Sequence, residues 1–145
     1  MHGFLLSLRL GLLFGLGLVA FGMDRAEAAS APCAVARVVD GDTVILDCLG
    51  MGQFRARLMG FDTPETHRPR CNREALLGQA ATRRLRALLD TPAGFAVQLG
   101  GWDRYERRLI TITINGSDVG DTLIAEGLAL PYQRGRRPDW CAHLG

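Results

Sequence analysis

The sequence predicts an α+β domain, mainly β, with five strands and two helices in the order three strands, helix, two strands, helix. Two periodicities carry this expectation. Apolar residues alternate with polar ones in the segments read as strands, and they recur at helical spacing in one long central segment. Gly, Asn, Asp and Pro punctuate the boundaries between them.

The stretch "CAVARVVDGDTVILDC" contains two β-rich runs flanking Asp40-Gly41, a tight-turn dipeptide, and so predicts a hairpin with Asp42 opening its second strand. "QFRARLMGF" alternates and reads as a third strand, with Phe54, Ala56 and Leu58 on one face and Arg55 and Arg57 on the other. From Arg73 to Leu89, Leu77, Ala81, Leu85 and Leu88 form one helical stripe, ended by Thr91-Pro92. "FAVQL" and "RRLITITI" supply the fourth and fifth strands, and Asn115-Gly116 marks the following turn. "SDVGDTLIAEGLA" predicts a short helix, with Ser117 or Asp118 as N-cap and Gly127 as terminator. "QRGRRPDW" reads as a loop-like tail.

The N-terminal segment stands apart. It has a basic start, an apolar run from Leu10 to Met23 and the small-x-small end Ala26-Glu27-Ala28, the pattern of a secretory signal peptide. The run is diluted by glycine and falls short of the ~20 apolar residues a spanning helix requires. The expected organisation is a signal peptide at 1–29 and one domain at 30–145, with a periplasmic or secreted location and no stable membrane association once the leader is removed. The remaining length buries one core and leaves no room for a second domain.

Every basic residue other than histidine is Arg, with no Lys anywhere in the chain. Arg offers a rigid fork of donors suited to phosphate. The four cysteines, Cys33, Cys48, Cys71 and Cys141, all follow the leader, and an even count in an exported domain reads as two disulfides. None stands in a C-x-x-C pair, which argues against zinc. Cys33 and Cys48 lie at the outer ends of the hairpin strands, where the register brings them opposite each other. That leaves Cys71 to pair with Cys141.

The candidate chemistry lies in "GFDTPETHRPRC". Asp42, Asp62 and Glu65 sit in turns or at strand ends, where side chains can converge on one point. Converging carboxylates repel unless a cation lies between them, and oxygen ligands suit Ca²⁺ or Mg²⁺. Thr63 precedes a proline, which holds it extended and fixes the direction of its carbonyl. An EF-hand starting at Asp40 is excluded, because Ile45 stands where the loop needs Gly and Met51 where it needs Glu. Arg57 lies on the strand entering the carboxylate loop, and Arg107 lies at the entrance to another strand. A metal, a base and two guanidinium groups together meet the demands of phosphodiester hydrolysis. The alternative reading of the same residues makes Asp40 and Asp62 ordinary turn formers and Glu65 a solvated loop charge.

Four ordered motifs, "VVDGDTV", "RLMGFDTPET", "DRYERRL" and "LIAEGLA", resemble the thermonuclease (staphylococcal-nuclease-like) family over roughly Val35 to Tyr132. The resemblance implies an OB-type five-stranded barrel with helices, presenting a groove suited to single-stranded nucleic acid. It further implies Ca²⁺ held by Asp42, Asp62 and the Thr63 carbonyl, Glu65 as general base, Arg57 and Arg107 on the phosphate, and Tyr105 and Tyr132 against the substrate. The implied reaction is in-line hydrolysis of DNA or RNA, with unpaired strands preferred. The 5′ oxygen leaves and the products carry 3′-phosphate ends. A monomer is expected.

Three departures accompany the match. The family usually carries Gly where this chain has Glu106, the chain has no Lys where better-known members use lysines along the substrate path, and it ends soon after the Tyr132 region, too early for the long C-terminal helix of the best-known member. Tyr132 aligns only across a one-residue gap. The rival readings are a non-catalytic OB-fold module that binds nucleic acid and a Ca²⁺-stabilised structural domain. The joint presence of Asp42, Asp62, Glu65, Arg57 and Arg107 favours the enzyme, because a pure binder gains little from acids facing a polyanion.

Overall fold

The computed structural model describes residues 32–133 and 135–143. The leader expected at 1–29 lies outside the described residues. Among them, no helix is long and apolar enough to cross a membrane.

The first hairpin pairs β1 (Cys33–Asp40) with β2 (Thr43–Cys48), in a register that sets Cys33 opposite Cys48 and Asp40 opposite Thr43. The two turn residues are therefore Gly41 and Asp42, one position later than Asp40-Gly41, after an irregularity in β1 between Val38 and Asp40. β3 (Gly52–Leu58) continues the antiparallel ladder from β2. The run read as one strand through Phe61 divides at Met59. The Met59 amide bonds to the Ile110 carbonyl, and Gly60 adopts φ 91°. The chain then enters a separate three-residue strand, β4 (Gly60–Asp62).

The long helix, α1, spans Asn72–Leu89. β5 (Ala96–Trp102) and β6 (Arg108–Ile114) form the next antiparallel pair, and β6 joins β3 in parallel. A two-residue strand, β7 (Ser117–Asp118), leads into α2 (Val119–Ala125). Asp118 caps α2 by accepting the Gly120 amide, and Gly127 beyond its end has φ 72°. β8 (Leu130–Tyr132) pairs with β4, and one helical turn, α3 (Trp140–His143), follows the tail.

The fold is α+β, mainly β, and OB-type, with five principal strands in the order β1-β2-β3-β6-β5. The hydrogen-bonded path is open, ending at β1 and β5. β4, β7, β8 and α3 add to the elements read from the sequence. Alternation places Val44, Leu46, Ala56, Leu58, Ile110 and Ile112 in one buried cluster, with Leu85 of α1 and Leu123 of α2 packed on it. The alternate residues of β3, Arg55 and Arg57, face away from that core and toward the site.

Both predicted disulfides are present, Cys33–Cys48 and Cys71–Cys141. The second ties the start of α1 to α3 across 70 residues of chain.

Candidate active site

Two glycines permit the close packing that builds the site. A Cβ on Gly41 would fall 2.7 Å from the Thr63 hydroxyl oxygen and 2.9 Å from the Ala81 Cβ. A Cβ on Gly78 would fall 2.7 Å from the Pro64 carbonyl oxygen. With these side chains absent, the β1–β2 turn and α1 close on the loop that follows β4. Asp42, Asp62 and Thr63 are buried there at 4%, 0% and 2% exposure.

Asp42 is satisfied on both oxygens. Oδ1 accepts the Thr43 hydroxyl at 3.0 Å; Oδ2 accepts the Thr63 amide at 3.3 Å and pairs with Arg57 Nη1 at 2.7 Å. Arg57 Nη2 reaches Asp62 Oδ1 at 3.4 Å and donates to the Phe61 carbonyl at 3.2 Å, so one guanidinium spans both aspartates. Neighbouring Asp40 is pushed up to about 6, first by burial and then by the Asp42 charge.

Glu65 turns back on its own loop. Its Oε1 accepts the amides of Thr66 and His67 at 3.0 and 3.1 Å. Burial raises the carboxyl pKa, but these amides and Arg137 outweigh it and hold the group below its ordinary value. Glu65 is therefore ionised at neutral pH. It lines an open cleft of about 500 Å³ with Arg55, Thr63, His67, Arg107 and Arg137. An adjoining cleft of about 490 Å³ is lined by Arg55, Arg57, Arg107, Arg137, Tyr105 and Tyr132. The two clefts share three arginines and form one basic face.

Arg107 is held by Asp103, whose Oδ2 receives Nε at 2.8 Å and Nη2 at 2.7 Å. Asp103 Oδ1 also accepts the Tyr105 and Arg107 amides, which fixes the turn carrying both residues. Glu106 in that turn adopts φ 58°, the left-handed region that favours glycine. Tyr105 is 63% exposed, with the Arg104 and Arg107 guanidinium groups over its ring. Tyr132 has Arg57 over its ring and donates its hydroxyl to the Gly135 carbonyl at 2.9 Å.

The structure thus brings Asp42, Asp62, Thr63, Glu65, Arg57, Arg107, Tyr105 and Tyr132 to one face. Four further residues join them that the sequence did not single out. Arg137 Nε meets Asp62 Oδ1 at 2.7 Å, its Nη2 donates to the Thr63 carbonyl at 3.1 Å, and its Nη1 meets Glu65 Oε2 at 3.4 Å. Trp140, fully buried, donates its indole N–H to Asp62 Oδ2 at 3.0 Å. Glu74 of α1 is 2% exposed and accepts the Glu65 and Arg70 amides, holding both ends of the loop. Arg55 lines both clefts. One signal bears on Arg137 and Trp140: the disulfide expected from Cys71 to Cys141 carries the tail to the loop that follows β4.

The donor set fits a hard cation. It consists of oxygens alone, and the Asp62 carboxylate, the Thr63 carbonyl and the Glu65 carboxylate already converge on one positive group, the Arg137 guanidinium. Among the described residues, the three carboxylates of Asp42, Asp62 and Glu65 do not all approach within 4.8 Å; the acid–cysteine trio that does is Cys71, Glu74 and Cys141, whose sulfurs are joined in the disulfide.

The sequence profile described as staphylococcal nuclease homologue matches residues 55–141. The chain belongs to that family. Two thermonucleases, from Staphylococcus hyicus and Staphylococcus intermedius, are 34% and 33% identical to it over 95 residues, 66% of this chain and 56% of each relative. An endonuclease, YhcR of Bacillus subtilis (strain 168), is 34% identical over 105 residues, 68% of this chain and 9% of the relative. The chain thus spans little more than half the length of the two thermonucleases. The profile match begins inside β3, so the β1–β2 hairpin with Asp42 precedes it.

Proposed function

We propose that the protein is a periplasmic or secreted, Ca²⁺-dependent nuclease that hydrolyses phosphodiester bonds of DNA or RNA and leaves 3′-phosphate ends. The observation that carries this reading is an ionised Glu65 at the wall of a cleft that Arg55, Arg107 and Arg137 also line, beside a buried cluster of carboxylate and carbonyl oxygens. Relatives named thermonuclease and endonuclease support it. The two disulfides support an oxidising compartment.

In this reading Glu65 removes a proton from the attacking water. Arg57 and Arg107 donate hydrogen bonds to the phosphoryl oxygens as negative charge builds on them. Tyr105 and Tyr132 present ring faces to the nucleotide, with unpaired bases best able to reach them. Ca²⁺, when held by Asp42, Asp62 and the Thr63 carbonyl, supplies charge neutralisation and water activation.

The test is digestion of end-labelled single-stranded DNA and RNA with Ca²⁺, Mg²⁺ or chelator, followed by analysis of product ends. Cleavage with Ca²⁺, weak cleavage with Mg²⁺, none in chelator and 3′-phosphate ends are expected. Full cleavage in chelator would contradict the metal assignment. Binding without cleavage under every condition would make the protein a nucleic-acid-binding OB module.

A further inference from the structure

We propose that Arg137 is an internal cation of the site, occupying the oxygens that the metal needs and leaving them when the metal enters. The inference rests on the Ca²⁺ reading above and goes beyond it, because it assigns a competitor carried by the chain itself.

The geometry is specific. Three donors of one guanidinium meet three different acceptors: Nε on Asp62 Oδ1, Nη2 on the Thr63 carbonyl and Nη1 on Glu65 Oε2. Two of these acceptors, Asp62 and the Thr63 carbonyl, are among the three proposed metal ligands, and the third acceptor is the proposed base. Ca²⁺ binds oxygen at roughly 2.3–2.6 Å and takes the same lone pairs. A guanidinium and a divalent ion so close also repel each other. Occupation by one therefore opposes occupation by the other.

The backbone around Arg137 is anchored, while its side chain borders open cleft on the side away from its three acceptors. Trp140 is buried against Asp62, Cys141 is joined to Cys71, and Arg70 donates to the Pro138 carbonyl at 3.3 Å. The Arg137 side chain itself is 47% exposed and lines both clefts. It can swing into the cleft beside Arg55 and Arg107 without releasing the tail. In the metal-free protein it offsets the charge of a carboxylate with no exposure at all, Asp62.

The test is calorimetric Ca²⁺ titration of the disulfide-bonded protein, without nucleic acid and at fixed ionic strength. It compares wild type, Arg137→Ala, Arg137→Gln and Arg136→Ala. The Arg137 variants are expected to bind Ca²⁺ about tenfold more tightly, equivalent to about 1.4 kcal/mol. Arg136→Ala, which removes an exposed neighbouring charge, is expected to change affinity by no more than about twofold. Thermal unfolding supplies a second readout. Both Arg137 variants should melt lower than wild type in chelator, and the gap should narrow at saturating Ca²⁺.

Equal or weaker Ca²⁺ binding by both Arg137 variants, with wild type binding normally, overturns this inference alone. A gain in Arg136→Ala as large as that in Arg137→Ala overturns it too, by reducing the effect to general charge. If neither wild type nor variants take up Ca²⁺, the metal reading falls and this inference with it.

Discussion

In the sheet, Val44, Leu46, Ala56, Ile110 and Ile112 lose all exposure against apolar neighbours on adjacent strands. In the cleft, Asp62 loses all exposure too, but against Arg57, Arg137 and Trp140. Arg137 and Trp140 lie 75 and 78 residues further along the chain. The apolar region is cohesive by itself. The polar region draws two of Asp62's donors from a distant segment, and a buried carboxylate stripped of one donor incurs a large desolvation penalty. The two disulfides follow the same division: Cys33–Cys48 closes a hairpin already paired by its strands, whereas Cys71–Cys141 brings in a segment that no sheet register places.

This comparison breaks most visibly at the disulfides. Serine at both Cys71 and Cys141 is expected to lower stability by about 4 kcal/mol, and serine at both Cys33 and Cys48 by about 3 kcal/mol, from the loop lengths they close. Urea unfolding of the two double variants checks the order. Only the first pair should also impair activity in the molecules that remain folded. A greater activity loss from the hairpin pair would contradict the division.

The two arginines proposed to bind phosphate sharpen it. Arg107→Ala should reduce the rate by about 10²–10³ with little change in stability, because Arg107 pairs with Asp103 outside the buried cluster. Arg57→Ala should lose a comparable factor in rate and about 3 kcal/mol of stability, because it leaves Asp42 and Asp62 facing each other. Rate measurements paired with urea unfolding separate the two. Equal stability costs would show that the buried acids do not depend on Arg57.

The smallest effect is expected at Glu106. Its φ of 58° is strained for a residue with a Cβ, so Glu106→Gly should stabilise the protein by about 1 kcal/mol and raise its melting temperature by a few degrees. Activity should stay the same or rise. A melting temperature that falls, or a collapse in rate, would mean that the Glu106 side chain makes a contribution of its own.

The parts of the molecule legible in the sequence are those with a repeating local signal. Alternation located β3 and β6, β-rich runs around turn residues located β1, β2 and β5, helical spacing located α1, and hairpin register paired Cys33 with Cys48. β4 and β8 escaped because three-residue strands are too short to show a period. Glu74 reads as an ordinary acid in the first turn of a helix, and only the fold buries it beneath the loop. Trp140 and Arg137 sit in a polar, proline-containing tail with no periodicity, and their roles follow from where Cys141 is tethered. The motif residues Asp42, Asp62, Glu65 and Arg57 were legible as candidates because turns and a strand face present them. The cation they share with the tail was not.

The most direct test of Glu65 as the base of a nuclease is single-turnover cleavage of labelled single-stranded DNA by Glu65→Gln at saturating Ca²⁺, with nucleotide affinity measured in parallel. Glutamine keeps an oxygen for the Thr66 and His67 amides while removing the basic carboxylate. A fall of about two to four orders of magnitude in rate with affinity nearly intact is the expected result. Wild-type cleavage by Glu65→Gln would reduce Glu65 to a loop charge and contradict the mechanism.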